Sequence, residues 1–427
     1  MVVISLVDRN VWKWFVGILL LWIVPFIVLH IIPLGLPDGD VYLYHRYAVQ
    51  LLQGQIPYVD YYLEYPPGSI FVFIIPALIS LSQQGYVFLF QVMSLLFLLG
   101  TNVMTIFLLE YSDTINISKF KLFLITSIAT VITFPVALNR FDSITAFVMI
   151  AGLFLFVIGD RKQSIWTRVA GTVLVVFSAL IKLYPVFLLP FIGLYEAKRF
   201  NLRFIGIQVL CNTLFLIPFG VWILFGWSGF SHFLTYHSDR GLEIESTWST
   251  AIMMVDQVFN LGSYEVVYEY GSFGIRSGVA DFLASISMII FVGIMSLAYL
   301  IYFFNTSRND TLIMMLRAFI ISTAGFAVIG KVFSAQYIMW FVPLLLIYLA
   351  IELRSIWPAR SLSIATSLTM FVALSTTIIF PLAWTQYIEG NPALTGILLI
   401  RNILLLLVVL MAIVRMLPVF KNFPKHE

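Results

Sequence analysis

Carboxylates that could take part in group transfer are concentrated in one polar stretch of an otherwise apolar chain. Residues 36–68 contain Asp38, Asp40 and Glu64 among several tyrosines and a Pro-Pro pair. A carboxylate held in such a stretch can act as a general base towards a hydroxyl group. Asp38 and Asp40 also precede a helical pattern, so either could instead be a helix N-cap. For Glu64, the ordinary alternative is a solvated loop acid among interfacial tyrosines.

Other ionisable and amide side chains stand beside apolar runs further along the chain. Ionisable groups at that depth of a membrane are costly, and they indicate a functional site by default. We therefore select as candidate substrate-binding residues Glu64, Arg140, Asp142, Lys182, His237, Arg240, Lys331 and Gln336.

Each cationic candidate also has a structural alternative. Arg140 and Asp142 could pair with each other or cap a helix. Lys182 could extend towards the membrane surface. Arg240 could bind a phosphate or simply pair with Glu243 or Glu245, which follow it closely.

A carboxylate combined with several cations at one membrane surface suits the transfer of a sugar from a lipid phosphate to a hydroxyl. The phosphate leaving group needs charge stabilisation by Lys or Arg, and the acceptor hydroxyl needs one base. Glycoside hydrolysis would need a pair of carboxylates instead. His232 and His237 lie near acids, but their spacing matches no metal-ligand pair, and we predict neither a metal nor a cofactor.

The composition shows which elements must position these residues. The chain has 427 residues, of which 61% are hydrophobic and 11% charged, with a mean hydropathy of +1.00. Apolar runs of about 20 residues recur along it, and a helix of that length spans the hydrocarbon core of a bilayer. A disulfide framework is excluded because Cys211 is the only cysteine. The sequence thus predicts a single all-α polytopic membrane domain over residues 1–427.

The predicted membrane segments number thirteen, and about twelve of them are expected to cross. Segments 68–82 and 185–195 are short and flanked by proline, which is typical of half-spans or re-entrant pieces. The segments are 11–32, 68–82, 86–110, 120–138, 143–159, 166–182, 185–195, 203–226, 279–303, 312–330, 336–352, 361–383 and 394–416.

The distribution of Lys and Arg predicts the orientation. Short basic loops belong in the cytoplasm, together with both termini. The opposite loops, 33–67, about 139–142, 183–184, 227–278, 331–335 and 384–393, then lie on the extracytoplasmic side. All candidate site residues fall in or beside these outer loops.

A short amphipathic helix is predicted directly after Asp40. Its apolar stripe, at helical spacing, consists of Tyr44, Tyr47, Ala48, Leu51 and Leu52. Gly54 and Pro57 end the pattern. Such a helix is suited to lying on the outer membrane surface.

The sequence resembles the GT-C superfamily of membrane glycosyltransferases, which use polyprenyl-phosphate sugars. Within it, the chain is most similar to the polyprenol-phosphate-mannose-dependent α-mannosyltransferase family. The matching segments are "DVYLYHRYAVQLLQGQIPYVDYYLEYPPG", "NRFDSITAFVMIAGLFLF", "ALIKLYPVFLLP", "YHSDRGLEIESTWS" and "KVFSAQYIMWFVPLL". They occur in the family order and cover about residues 11–350, whereas residues 351–427 are less diagnostic.

The resemblance implies an inverting hexosyltransferase with a catalytic acid in the first outer loop. Asp40 occupies that position, with Asp38 as a rival, and Arg240 and Lys331 would contact the donor phosphate while Lys182 lines the same cavity. The implied partners are a polyprenyl-phosphate sugar, with mannose favoured, a lipid or glycan acceptor and the bilayer, but no nucleic acid. A transporter or lipid flippase is the main alternative, and an envelope assembly protein is a further one.

Overall fold

The computed structural model describes residues 11–31, 39–109, 118–198, 202–305 and 311–417. The candidate base Asp38 lies outside the described residues. The helices are α1 Val11–Ile31, α2 Gly39–Leu52, α3 Ser69–Ala77, α4 Gln83–Leu109, α5 Lys119–Ile132, α6 Phe134–Ala137, α7 Asp142–Arg161, α8 Ile165–Ile181, α9 Leu189–Lys198, α10 Leu202–Phe225, α11 Trp227–Asp239, α12 Thr247–Phe259, α13 Gly278–Asn305, α14 Thr311–Ile329, α15 Val342–Arg354, α16 Ser361–Thr377, α17 Trp384–Ile388 and α18 Pro392–Val414. Single-turn pieces lie between them at Tyr184–Leu188, Ala335–Trp340 and Ile378–Leu382.

Seven helices in the described part of the chain are long and apolar enough to cross a membrane. They are Gln83–Leu109, Asp142–Arg161, Leu202–Phe225, Gly278–Phe304, Thr311–Ile329, Ser361–Leu382 and Pro392–Val414. Leu20–Ile31 and Ile165–Ile181 are shorter apolar helices. The predicted count of about twelve crossings stays a prediction.

The two segments predicted to be half-spans are both short. Helix α3 has nine residues, and segment 185–195 is divided between the 3-10 turn Tyr184–Leu188 and helix α9. Nine residues extend about 14 Å, less than half of a hydrocarbon core of ~30 Å. Helix α3 therefore cannot cross a bilayer by itself.

Helices α7 and α8 pack closely because glycines lie at their contact. A Cβ atom on Gly152 would come within 2.7 Å of the Gly171 carbonyl oxygen, and one on Gly171 within 2.6 Å of the Gly152 oxygen. Small residues allow two helix backbones to approach in this way. This contact fixes the positions of Asp142, at the start of α7, and Lys182, just after the end of α8.

The predicted amphipathic helix is present as α2, but its aromatic stripe contacts protein. Tyr44, Tyr47 and Ala48 are buried. The Tyr44 ring stacks on Phe73 of α3 at 4.5 Å and contacts Phe90 of α4 at 5.3 Å. The aromatic part of the stripe therefore packs against α3 and α4, and the location of this helix on the outer membrane surface stays a prediction.

The all-α prediction is correct for most of the described chain but misses a small sheet. In loop 227–278, strands β1 Leu242–Glu243, β2 Glu265–Glu269 and β3 Ser272–Arg276 form an antiparallel sheet in the order β1-β3-β2. Tyr270 and Gly271 join β2 to β3 with φ angles of 49° and 70°. Two positive φ values in a two-residue connection are typical of a type I′ hairpin turn.

The two ends of the helical bundle carry separate groups of charges. Arg168 near the start of α8 pairs with Glu196 at 2.5 Å, and Arg317 of α14 pairs with Glu352 of α15 at 2.6 Å. Lys182 lies at the other end of α8, about 21 Å along the helix from Arg168 at 1.5 Å per residue. The candidate site residues are thus at the end of the bundle opposite the first group.

Candidate functional site

Asp40 lies in the first turn of α2 and forms an ion pair with Arg140, which immediately precedes α7. The Asp40 side chain is 39% exposed and that of Arg140 is 15% exposed. An acidic group in the first helical turn also interacts favourably with the helix dipole. The pairing orients the Asp40 carboxylate and leaves part of it accessible to a ligand.

Asp142 and Lys182 form a second ion pair beside the first. Lys182 Nζ lies 2.6 Å from Asp142 Oδ1, which also accepts a hydrogen bond from Trp340 Nε1 at 2.6 Å. Rings of Phe141, Tyr337 and Trp340 surround the Lys182 ammonium group at 5.0 to 5.3 Å. Lys182 therefore points into the protein, and the alternative that it extends to water is wrong.

The alternative that Arg140 and Asp142 pair with each other is also wrong. Arg140 pairs with Asp40, and Asp142 pairs with Lys182. Burial lowers the pKa of Arg140 to about 10, although the charges of Asp142 and Glu245 oppose this. Burial likewise lowers the pKa of Lys182, again opposed by Asp142.

His237, in the last turn of α11, contacts the loop that carries Glu64. Its Nε2 lies 3.2 Å from the Glu64 carbonyl oxygen. Desolvation by the surrounding protein, together with the charges of Arg240, Lys182 and Lys331, lowers the pKa of His237 to about 4. The imidazole keeps part of its surface exposed. Burial raises the pKa of the Glu64 carboxyl, and the charges of Arg46 and Arg240 oppose that shift.

Arg240 and Lys331 both keep donor capacity open. Arg240 Nη2 donates to Ser272 Oγ at 2.5 Å, while its buried Nε has no hydrogen-bond partner among the described residues. Lys331 Nζ donates to the Ser238 carbonyl oxygen at 2.7 Å and keeps part of its surface exposed. Gln336 is half-buried in the 3-10 turn Ala335–Trp340.

These positive side chains lie close enough to influence one another. Lys182 is affected by the charges of Arg140 and Arg240, and His237 by those of Arg240, Lys182 and Lys331. We call Arg140, Lys182, Arg240 and Lys331 the cation cluster. The structure thus brings together residues from four separate polar segments of the sequence.

Two buried acids beside the cation cluster were not among the candidates. Glu243 and Glu245 are each 3% exposed, and they accept hydrogen bonds from the backbone N–H groups of Phe333 and Ala335. Burial raises the pKa of both, and the charge of Glu243 raises that of Glu245 further. Their spacing in the sequence is that of ordinary loop acids, so no local signal distinguishes them.

Arg401, inside helix α18, was also missed. It is fully buried, donates to Thr376 Oγ1 at 2.9 Å and lies 4.4 Å over the Phe333 ring. The adjacent Asn402 donates to the Glu245 carbonyl oxygen at 3.1 Å. An arginine within a predicted span is a recognisable signal in the sequence.

The described residues contain no group of three or more His, Cys, Asp and Glu side chains that could hold a metal ion. The arrangement that they do contain is an accessible carboxylate beside several cations. Such a site can accept a proton at the carboxylate and bind an anionic group at the cations.

Comparison with known proteins identifies one family. The sequence model of glycosyltransferase family 87 matches residues 62–329. This range contains Glu64, Arg140, Lys182 and Arg240, whereas Asp40 precedes it and Lys331 lies two residues after it. No curated protein matches the chain.

Proposed function

The chain belongs to glycosyltransferase family 87, a family of membrane glycosyltransferases, and on this basis we propose a donor, an acceptor and a mechanism. The proposed donor is a polyprenyl-phosphate hexose, with mannose as the sugar. The proposed acceptor is a hydroxyl group of a lipid or glycan at the extracytoplasmic face of the membrane. The observation that carries this proposal is the accessible Asp40 carboxylate next to the cation cluster.

In the proposed step, Asp40 removes the proton of the acceptor hydroxyl. The acceptor oxygen bonds to the anomeric carbon as the bond from that carbon to the phosphate oxygen breaks. The electron pair of that bond stays on the departing polyprenyl phosphate, and the configuration at the sugar is inverted. Pairing with Arg140 holds the Asp40 carboxylate in one direction during this step.

Arg240 and Lys331 are proposed to bind the donor phosphate. Both retain donor capacity, whereas the Lys182 ammonium group is already held by Asp142 and enclosed by three rings. Charge-assisted hydrogen bonds to phosphate oxygens are stronger than neutral ones, and they strengthen as charge develops on the leaving group. Lys182 contributes positive charge at longer range.

A transfer assay with defined donors tests this function. The purified protein in lipid nanodiscs would receive radiolabelled polyprenyl-phosphate mannose, polyprenyl-phosphate glucose or a nucleotide-linked mannose, with membrane lipid extract as acceptor. We expect transfer from the polyprenyl-phosphate mannose. Transfer from the nucleotide sugar alone would contradict the proposed donor class, and a preference for glucose would contradict the sugar assignment only.

A further inference from the structure

A cavity of about 280 Å³ adjoins the cation cluster on the side of the small sheet. The end of α11, the strands β1 to β3 and the first turn of α13 enclose it. Arg240 lines it and also belongs to the cation cluster, and Glu243 lines it beside the Lys331 backbone, whose carbonyl oxygen accepts from Glu243 N at 2.9 Å. The cavity therefore shares Arg240 with the proposed phosphate site.

The charges around the cavity disfavour an anionic ligand. Four acids and two arginines line it: Asp239, Glu243, Glu269, Asp281, Arg240 and Arg276. Arg276 is already paired with Glu269 at 2.6 Å, which leaves three acids and Arg240. Burial raises the pKa of the Glu243 carboxyl, so Asp239 and Asp281 supply the negative charge that a phosphate would meet in this space. Carboxyl groups can instead hydrogen-bond to the hydroxyl groups of a neutral ligand.

The shape of the cavity suits a small ring. Its volume is just below the range for small-molecule sites, roughly 300 to 1,000 Å³. Tyr270 lines it, and the hydroxyl group of Tyr236 donates to the Tyr270 carbonyl oxygen at 2.5 Å and so holds this turn in place. A tyrosine ring combines an apolar face with a polar edge, as a sugar ring does.

We propose that this cavity binds a saccharide ring of the acceptor. The inference rests on the proposed function, since it identifies the place and the chemical class of the group that receives the hexose. An acceptor ring in the cavity would lie on the sheet side of Arg240, beside the donor phosphate.

Two glycines provide a matched pair of variants for the test. Gly241 lines the cavity, and Gly278 at the start of α13 does not. A Cβ atom at either position would have no heavy atom within 4 Å. Gly241→Trp should therefore fill the cavity without disturbing the surrounding backbone, and Gly278→Trp places the same side chain at a position that does not itself line the cavity.

The measurement is binding of methyl α-mannopyranoside and methyl β-glucopyranoside by saturation-transfer NMR, in nanodiscs free of glycoside detergent. Farnesyl phosphate serves as the probe of the phosphate site. We expect saturable binding of at least one hexoside to the unchanged protein and to Gly278→Trp, and at least tenfold weaker binding to Gly241→Trp. Farnesyl phosphate should bind all three proteins equally, which also shows that they are folded.

Several results would overturn the inference. These are no saturable hexoside binding to the unchanged protein, equal hexoside binding to Gly241→Trp, or loss of farnesyl phosphate binding in that variant. Binding of choline, without binding of the hexosides, would also overturn the inference, because it would show that the cavity binds a cation. If Gly241→Trp does not fold, Asp281→Asn replaces it, and the exposed Glu265→Gln is its control. Unchanged hexoside binding to Asp281→Asn would then overturn the inference.

The same samples separate this inference from the proposed function. Hexoside binding that depends on Gly241, without any transfer from polyprenyl-phosphate sugars, would count against the proposed function. Normal transfer with unaltered hexoside binding in Gly241→Trp would overturn only the assignment of the cavity.

Discussion

The ion pair between Asp40 and Arg140 is the central feature at the scale of single residues. The two side chains belong to distant parts of the sequence, and neither segment alone distinguishes a catalytic acid from a helix cap. Their contact places a partly exposed carboxylate beside the cation cluster. Position within the first turn of α2 and a catalytic role are compatible, because both favour the charged carboxylate.

Asp40→Asn is expected to lower kcat by roughly 10² to 10⁴-fold, because the amide cannot accept the acceptor proton. The donor KM should change little, since the cation cluster is retained. The measurement is transfer from purified polyprenyl-phosphate sugar. Glu265→Gln, an exposed acid on β2, is the matched control and should retain full activity. Normal kcat in Asp40→Asn would exclude it as the base.

Arg240→Ala is expected to raise the donor KM by at least tenfold, because a phosphate contact is lost. Arg240→Lys should recover part of this effect by restoring the charge but not the guanidinium geometry. Arg360→Ala, an exposed arginine at the opposite end of the bundle, is the control. An unchanged donor KM in Arg240→Ala would remove this residue from the phosphate site.

The lowered pKa of His237 predicts a defined effect of pH on stability. The ordinary value is 6.5 and the folded value is about 4, so the folded state favours the neutral imidazole. Its contribution to stability is complete above pH 6.5 and is lost as the pH falls towards 4. Thermal unfolding should therefore show the Tm of the unchanged protein falling relative to His237→Gln over this range. Parallel curves would show that His237 titrates normally.

At the scale of elements, the contact between α7 and α8 determines where the second ion pair lies. The glycines Gly152 and Gly171 bring the two backbones together, so that Asp142 at the start of α7 meets Lys182 after the end of α8. Trp340, from the turn that precedes α15, completes the Asp142 environment. Three elements are thus tied together at one nearly inaccessible carboxylate.

Asp142→Ala is expected to destabilise the protein by about 3 kcal/mol, because it leaves a buried cation and the Trp340 N–H without their acceptor. The double variant Asp142→Ala/Lys182→Met should be less destabilised than the sum of the two single variants, since it removes both charges. Thermal unfolding in one detergent gives the comparison. Additive effects would show that the pair does not act as a unit.

At the scale of the whole molecule, the separation of charges between the two ends of the bundle underlies the predicted orientation. The proposed site lies at the end that carries loop 227–278, and the ion pairs of Arg168 and Arg317 lie at the other. Short basic loops favour the cytoplasm for the second end. The active site would then face the extracytoplasmic side, where lipid-linked sugars are proposed to be used.

Single cysteines test this orientation directly. After replacement of Cys211 by alanine, Ser263→Cys in the outer loop should react with a membrane-impermeant maleimide in intact cells. Arg360→Cys, at the opposite end, should react only after the membrane is permeabilised. Both positions are exposed, so access to the reagent depends on sidedness rather than burial. The reverse labelling pattern would contradict the predicted orientation.

The sequence by itself determined the features that depend on local pattern. Apolar runs predicted the long apolar helices, proline-flanked short runs predicted the short helices α3 and α9, and helical spacing predicted α2. Polarity at the ends of apolar runs also identified most residues that gather at the site. Neighbouring residues suffice to predict these features, because hydrophobic periodicity and the length of an apolar run relative to the bilayer thickness can be read from one segment alone.

Only the tertiary structure decided which distant side chains meet. It paired Asp40 with Arg140 and Asp142 with Lys182, and it turned the aromatic stripe of α2 towards α3. It also buried Glu243 and Glu245 near Arg401, and it built the sheet that encloses the cavity. The physical reason is that ion pairing and burial depend on how separate elements pack in space, and residue spacing along one element does not specify that packing.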